Sequence, residues 1–254
     1  VIESAIEQIP GKPIINSINL EGDGSRYKAL APLMAKYGIP AIALCIGPDG
    51  MAKTPTQKVE TAELLYKSGK KYGLRPEQFI FDVLTFTLAT GEEEFRDAGK
   101  HTLEGIKLVK ERFPTSFTTL GLSNISFGLA PQARRVLNSV FLYHAVQNGL
   151  DSAIVNAREI TPYTEIDEKE KNIVEDLIFN RHPNALSELI TYFENTNQES
   201  TTKTKKVDVD PSWAAGKRAN FRIINRLKDG IENDVVSAIA EKLDEKNLVQ
   251  NNDG

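Results

Sequence analysis

Short apolar runs alternate along the chain with longer stretches in which apolar residues recur every three or four positions. The opening Val1-to-Ile9 stretch carries Ile2, Ile6 and Ile9 on one helical face, so the chain begins inside a helix and is expected to be cut from something longer. Pro10-Gly11 breaks that pattern, and Pro13-Ile14-Ile15-Asn16-Ser17-Ile18-Asn19 reads as a buried strand. A polar turn ending in Ser25, the expected N-cap, leads into a helix holding Tyr27, Leu30, Leu33 and Met34. The alternation then repeats. Strands are expected over 41–46, 79–84, 118–124 and 152–156, with helices over 56–72, 92–112, 132–147 and 168–180. Five β-α units spaced by roughly 25–40 residues predict an α/β fold with a parallel sheet covered by helices. Two architectures fit: an open doubly wound sheet, and a (β/α)8 barrel in which three further units would lie upstream. No GxGxxG follows the first strand and no GxxxxGK[ST] occurs, so the fingerprints of nucleotide folds are absent.

The rhythm changes near residue 195. The stretch from Asn195 to Lys206 holds no apolar residue, and 196–211 is expected to be a linker whose Lys203, Lys205 and Lys206 are solvated charge. Over 212–254, Trp213, Phe221, Ile224, Leu227 and Ile231 space out one helix. Val235, Val236, Ile239 and Leu243 space out a second, with Gly230 between them. Two such helices need partners to bury their apolar faces.

Composition narrows the function classes. Of 254 residues, 40% are hydrophobic and 26% charged, which argues against wholesale disorder. A formal charge of −4 gives no basic footprint for nucleic acid. No apolar run reaches membrane-span length, and a single cysteine rules out an internal disulfide framework or a thiolate zinc site, so a cytoplasmic setting is expected. Cys45 lies in an apolar strand and reads as core. His101 and His144 sit in helical patterns and His182 in a His-Pro turn, none of them in a metal-binding or triad spacing.

The informative residues are polar ones at the carboxyl ends of strands, where parallel α/β folds bind ligands: Asn16, Asp82 and Asn124. Each could simply cap a helix or satisfy loop backbone. Recurrence at equivalent places in successive units favours one shared ligand. An ionised aspartate only accepts hydrogen bonds and suits an edge with two N–H donors, whereas asparagine both donates and accepts. A pterin, with its amino-pyrimidinone edge and mixed ring atoms, has that character.

These residues also carry a resemblance. Gly11-Lys12-Pro13-Ile14-Ile15-Asn16-Ser17-Ile18-Asn19-Leu20-Glu21 comes first, followed by Asp49-Gly50-Met51-Ala52 and Phe81-Asp82. Gly121-Leu122-Ser123-Asn124-Ile125-Ser126-Phe127-Gly128 and Asn138-Ser139-Val140-Phe141-Leu142 complete the set. In that order, over residues 1–195, they resemble the folate-binding barrel of the cobalamin-dependent methionine synthases. The tail over 212–254 resembles, more weakly, the start of those enzymes' helical cap over cobalamin.

The resemblance implies the last five β-α units of a pterin-binding (β/α)8 TIM barrel, incomplete at its N-terminus, then a linker and two cap helices. It implies a methyltransferase module of methionine synthesis and one-carbon metabolism that presents the N5-methyl of 5-methyltetrahydrofolate to cob(I)alamin. Asn16, Asp82, Gly121, Ser123, Asn124 and Arg134 would bind the pterin, with Asn124 beside N5 as the catalytic residue and no metal ligand among them. Arg135 reads as a solvated helix residue. Cobalamin would be bound mainly by a downstream module, and zinc only by an upstream homocysteine domain of the same polypeptide. The chain departs from the family at Gly47, where an acidic residue is usual. The alternatives are a free-standing methyltetrahydrofolate:corrinoid methyltransferase, or a folate-binding scaffold without turnover.

Overall fold

A computed structural model describes residues 1–201, 209–224 and 227–250. The chain divides into two compact units, Val1–Thr196 and Asn197–Gly254.

In the first unit α1 (Ile2–Gln8) precedes β1 (Ile15–Ile18), α2 (Ser25–Tyr37) and β2 (Ala41–Leu44). A small hairpin, β3 (Ile46–Gly47) and β4 (Gly50–Met51), interrupts before α3 (Pro55–Lys70). Then come β5 (Phe79–Asp82), α4 (Ala98–Arg112), β6 (Phe117–Gly121), α5 (Pro131–Gln147), β7 (Ser152–Ile154), α6 (Glu168–Ile178) and α7 (Ala185–Thr201).

Local chemistry sets several boundaries. Thr54 and Gln57 form a reciprocal capping box at the start of α3, with Pro55 in the first turn. Asp167 caps α6 by accepting from the Lys169 amide at 2.9 Å. Ser25 is not the cap of α2: Gly24, at φ +64°, takes that position, and the Ser25 amide donates to Asp23 instead.

The five main strands form one parallel sheet in the order β1-β2-β5-β6-β7. That order decides between the two architectures. A doubly wound sheet reverses its strand order at a switch point, sending helices to both faces. Here each strand is added beside the last without reversal, so right-handed crossovers place the helices on one face, as in a barrel wall. Ala41, Ala43, Phe79, Phe81 and Leu120 are fully buried on that helix-covered face. On the opposite face one register row runs Asn16, Ile42, Ile80, Phe117 and the next runs Leu44, Asp82, Thr119, Ser152. This second face is open, with Phe117 48% and Ile154 54% exposed.

At the amino ends of the strands, Asp151 accepts from the Thr118 amide at 2.8 Å and pairs with Lys110 at 3.0 Å. That lock lies at the opposite end from any strand-end site.

Two expectations need correcting. Helix α4 begins at Ala98, not near 92, because residues 83–97 form a loop whose Leu88 amide bonds the Ile125 carbonyl at 3.0 Å. Helix α7 runs to Thr201, past residue 196 where the pattern starts a linker. Absence of apolar residues predicts absence of packing, but glutamate and glutamine still propagate a helix. The remainder of that expected linker, including Lys203, Lys205 and Lys206, lies outside the described residues.

In the second unit α8 (Ala215–Ile224) packs on α9 (Ile231–Gln250). The buried Asp234 carboxylate joins them, taking Arg218 Nε at 2.8 Å and Arg222 Nε at 2.6 Å. Ile223, Val236, Ile239 and Leu243 remain more than half exposed. Among the described residues no helix is long and apolar enough to cross a membrane.

Candidate functional site

Asp82 is the last residue of β5 and faces the open side of the sheet, yet it is only 8% exposed. Burial raises its carboxyl above the usual aspartate value, while the Leu84 amide, donating to Oδ1 at 2.8 Å, and the charge of Lys58 pull the other way. Asn16 lies on the same face, two strands across and one row nearer the amino ends. Its side chain is exposed and makes no hydrogen bond among the described residues.

Gly121 ends β6, one row beyond the row of Asp82 and Thr119. The strand does not continue to Asn124 as the pattern suggests. Leu122–Ser126 coils into a 3-10 turn, with the Phe127 amide bonded to the Asn124 carbonyl at 3.2 Å. Leu122, Ile125 and Ser126 face inward, which leaves Ser123 half-buried and Asn124 exposed. The Asn124 amide makes no hydrogen bond to another described residue.

A Cβ at Gly121 would sit 3.0 Å from Asn124 Nδ2. Glycine is therefore needed there for clearance, since its φ of −73° is open to any residue. Gly121→Ala should displace the far end of the Asn124 side chain without disturbing the core. We expect Tm within about 3 °C of wild type. Thermal melts would check this; a larger loss of Tm would show that the clearance at Gly121 supports the core and not the Asn124 side chain alone.

The turn is pinned from behind. The buried Ser126 hydroxyl lies 2.8 Å from Asn138 Oδ1 and 3.2 Å from the Ser123 carbonyl, and it accepts from Arg134 Nε at 3.3 Å. Arg134, in the first turn of α5, is thus turned toward the loop that carries Asn124. The structure brings Asp82, Gly121, Ser123, Asn124 and Arg134 to the carboxyl ends of β5 and β6, with Asn16 further off on the same open face. Gly47 stands in the β3–β4 hairpin.

Three participants are not singled out by sequence pattern. Ser126 and Asn138 hold the turn. Lys58 is fully buried, donates to the carbonyls of the two residues after Asp82, and is pushed down to about 8 by loss of hydration. A lysine in the stripe Lys58, Ala62, Leu65, Gly69 on the buried face of α3 was the available signal. Three residues beyond Asp82, the buried Thr85 hydroxyl has no hydrogen-bond partner among the described residues.

The other chemistry-bearing groups lie elsewhere. His144 Nε2 sits 2.9 Å from Glu175 Oε1, an oxygen that also accepts from the Tyr163 hydroxyl at 2.7 Å. Burial pushes the Cys45 thiol up to about 12. A separate cleft lined by Leu88, Phe95, Arg96, Leu177 and His182 contains none of the strand-end residues. Among the described residues no group of three or more His, Cys, Asp or Glu side chains could hold a metal ion.

Residues 1–156 match the family described as pterin binding enzyme. The methionine synthase of Mycobacterium tuberculosis is 39% identical over 249 residues, covering 95% of this chain and 21% of that protein. The methionine synthase of Mycobacterium leprae is 38% identical over the same shares. The chain thus spans about a fifth of the length of the curated relatives it matches.

Proposed function

The chain belongs to the pterin-binding enzyme family, and from that premise we propose that it is the folate module of a cytoplasmic, cobalamin-dependent methionine synthase. In this reading residues 1–195 bind 5-methyltetrahydrofolate and 212–254 begin a helical cap, with 196–211 joining them. The observation that carries it is the buried Asp82 carboxylate, aimed at the open face beside two asparagine amides with no partner among the described residues. A carboxylate has about four lone-pair sites, and the Leu84 and Gly121 amides leave acceptor capacity free. The two N–H donors of a pterin's amino-pyrimidinone edge would use it.

Each residue then has a task. Asp82 accepts the donor edge and Asn16 takes a mixed edge of the same ring. Asn124 stands at N5, with Gly121 and Ser123 as the floor beneath it and Arg134 bracing the turn. As the methyl leaves, the N5–carbon bond breaks with its electron pair remaining on N5, which must carry a proton to depart as an amine. The Asn124 amide cannot supply that proton, but it can accept from protonated N5 or donate to neutral N5 by turning over. Cobalamin, when bound, supplies the nucleophilic cob(I)alamin that receives the methyl group.

The donor chemistry of this chain suits covering a corrin and not ligating its metal. All three histidines precede residue 183, and the exposed face of α8–α9, with Ile223, Val236, Ile239 and Leu243, is apolar. That face would rest on the corrin. Zinc does not fit these residues; in this reading it belongs to a homocysteine-binding module of the same polypeptide. The helical pair after the barrel units favours the multi-module enzyme over a free-standing corrinoid methyltransferase or a non-catalytic scaffold.

Calorimetric titration of the intact chain with tetrahydrofolate tests the reading. Saturable binding, competed by 5-methyltetrahydrofolate, is expected. No heat and no competition over the accessible concentration range would overturn it.

A further inference from the structure

Lys58 is the largest charged group inside the first unit and sits wholly out of solvent. Its Nζ donates to three backbone carbonyls, those of Val83, of Leu84 at 3.1 Å and of Ala52 at 3.3 Å, which uses all three of its protons. Every one of these acceptors is neutral, and no carboxylate forms an ion pair with it among the described residues. The Phe86 ring lies 5.3 Å away.

The surroundings are built to admit this side chain. Leu84 adopts φ +65°, a left-handed conformation unusual for leucine, and its carbonyl is shared between Lys58 and the Thr102 hydroxyl. On α4, Gly105 gives way to the lysine stem, because a Cβ there would lie 2.5 Å from Lys58 Cδ. Two elements thus give way, the loop after β5 in strain and α4 in a lost side chain, to seat one buried ammonium.

Two of its three acceptors belong to the residues directly after Asp82. The ammonium and the carboxylate are therefore fixed through one three-residue stretch, and they are the two buried charged side chains among the described residues of the first unit. The titratable groups facing Asp82 are Lys58 from α3 and Cys45 after β2; its remaining polar neighbours are the Leu84 and Gly121 amides. A thiol carries no positive charge in either protonation state, so the cation facing Asp82 is Lys58.

We propose that Lys58 is the buried counter-cation of Asp82, a positioning residue that keeps the strand-end carboxylate ionised and the Val83-Leu84 turn in place for the pterin's donor edge. It rests on the reading that Asp82 receives a pterin, but its electrostatic content can be tested without any ligand.

The experiment follows carboxyl ¹³C shifts of aspartate-labelled intact chain against pH, with Asp82→Asn assigning the Asp82 signal. Lys58→Met should move the Asp82 midpoint up by about one pH unit or more, a tenfold change in its proton affinity. Lys58→Arg, which keeps the charge, should restore it toward wild type. Coupling is reciprocal, so in Asp82→Asn the Lys58 midpoint, read from its ε-carbon shift, should fall by a similar amount. That arm needs no Lys58 variant to fold. An Asp82 midpoint unmoved in folded Lys58→Met, or a Lys58 midpoint unmoved in Asp82→Asn, would overturn the proposal and leave Lys58 as packing alone. Failure of wild type to bind tetrahydrofolate would overturn the pterin reading while leaving this coupling measurable.

Discussion

Asp82→Ala is expected to weaken tetrahydrofolate binding by at least about 2 kcal/mol, roughly 30-fold, since it leaves the ligand's paired donors facing an apolar methyl. Asp82→Asn should be no better, because an amide opposes one of those N–H groups with a donor of its own. Thermal melts separate such a result from unfolding of the variant, in which the Leu84 amide loses its acceptor. Burial holds a proton on Asp82 more tightly in the folded chain than in the unfolded one, so ionising it costs stability as pH rises through its raised midpoint. Asp82→Ala removes that cost, and the decline of Tm across that window should flatten in the variant. Wild-type affinity should itself fall as pH drops through the same midpoint, because only the ionised carboxylate accepts both donors. Calorimetric titrations across pH beside thermal melts give both quantities. Wild-type affinity in Asp82→Ala would remove the carboxylate, and with it the pterin, from the site.

The parts of this site that were legible in the sequence are those in which a polar residue interrupts an apolar strand. Asp82 in Phe79-Ile80-Phe81-Asp82 and Asn16 in Ile14-Ile15-Asn16 break a pattern whose cause is burial, and the break points to the exception. The strand-helix rhythm itself was equally visible, since period 2 and period 3.6 follow directly from which faces are covered. Strand order was not, because it depends on which neighbours pair, and it alone separated the barrel wall from the doubly wound sheet. Asn124 was found for a reason that needed refinement. The apolar spacing of Leu122 and Ile125 fits a strand end or a tight turn alike, and only the hydrogen bonds among Ser126, Asn138 and Ser123 select the turn. Lys58 escaped because a lone lysine in a helix reads as solvated charge. Its burial follows from three carbonyls brought together by the β5 loop and the hairpin, contacts that no local pattern encodes.

Asn124→Ala should separate binding from chemistry in the opposite sense to Asp82→Ala. The Asn124 amide is exposed, and as a neutral hydrogen-bonding group it would contribute only about 1 kcal/mol to holding folate, an expected loss of about fivefold in affinity. On the proposed reading its value lies in following the proton on N5. That nitrogen is a poor leaving group until protonated, and an amide that reorients to accept from it stabilises the departing amine more than the resting folate. Only interactions stronger in the transition state lower the barrier. Slowing of methyl transfer to exogenous cob(I)alamin by about 100-fold is therefore expected, the scale of losing a group that attends a proton in flight. Asp82, by contrast, would hold the ring edge equally before and during transfer on the same reading, so its variant should lose affinity and keep most of its rate at saturation. Single-turnover decay of cob(I)alamin absorbance at saturating 5-methyltetrahydrofolate, set beside equilibrium affinity, reads the two effects separately. Equal losses of rate and affinity in Asn124→Ala would reduce the residue to a wall of the pocket, and an unchanged rate would take it out of the mechanism.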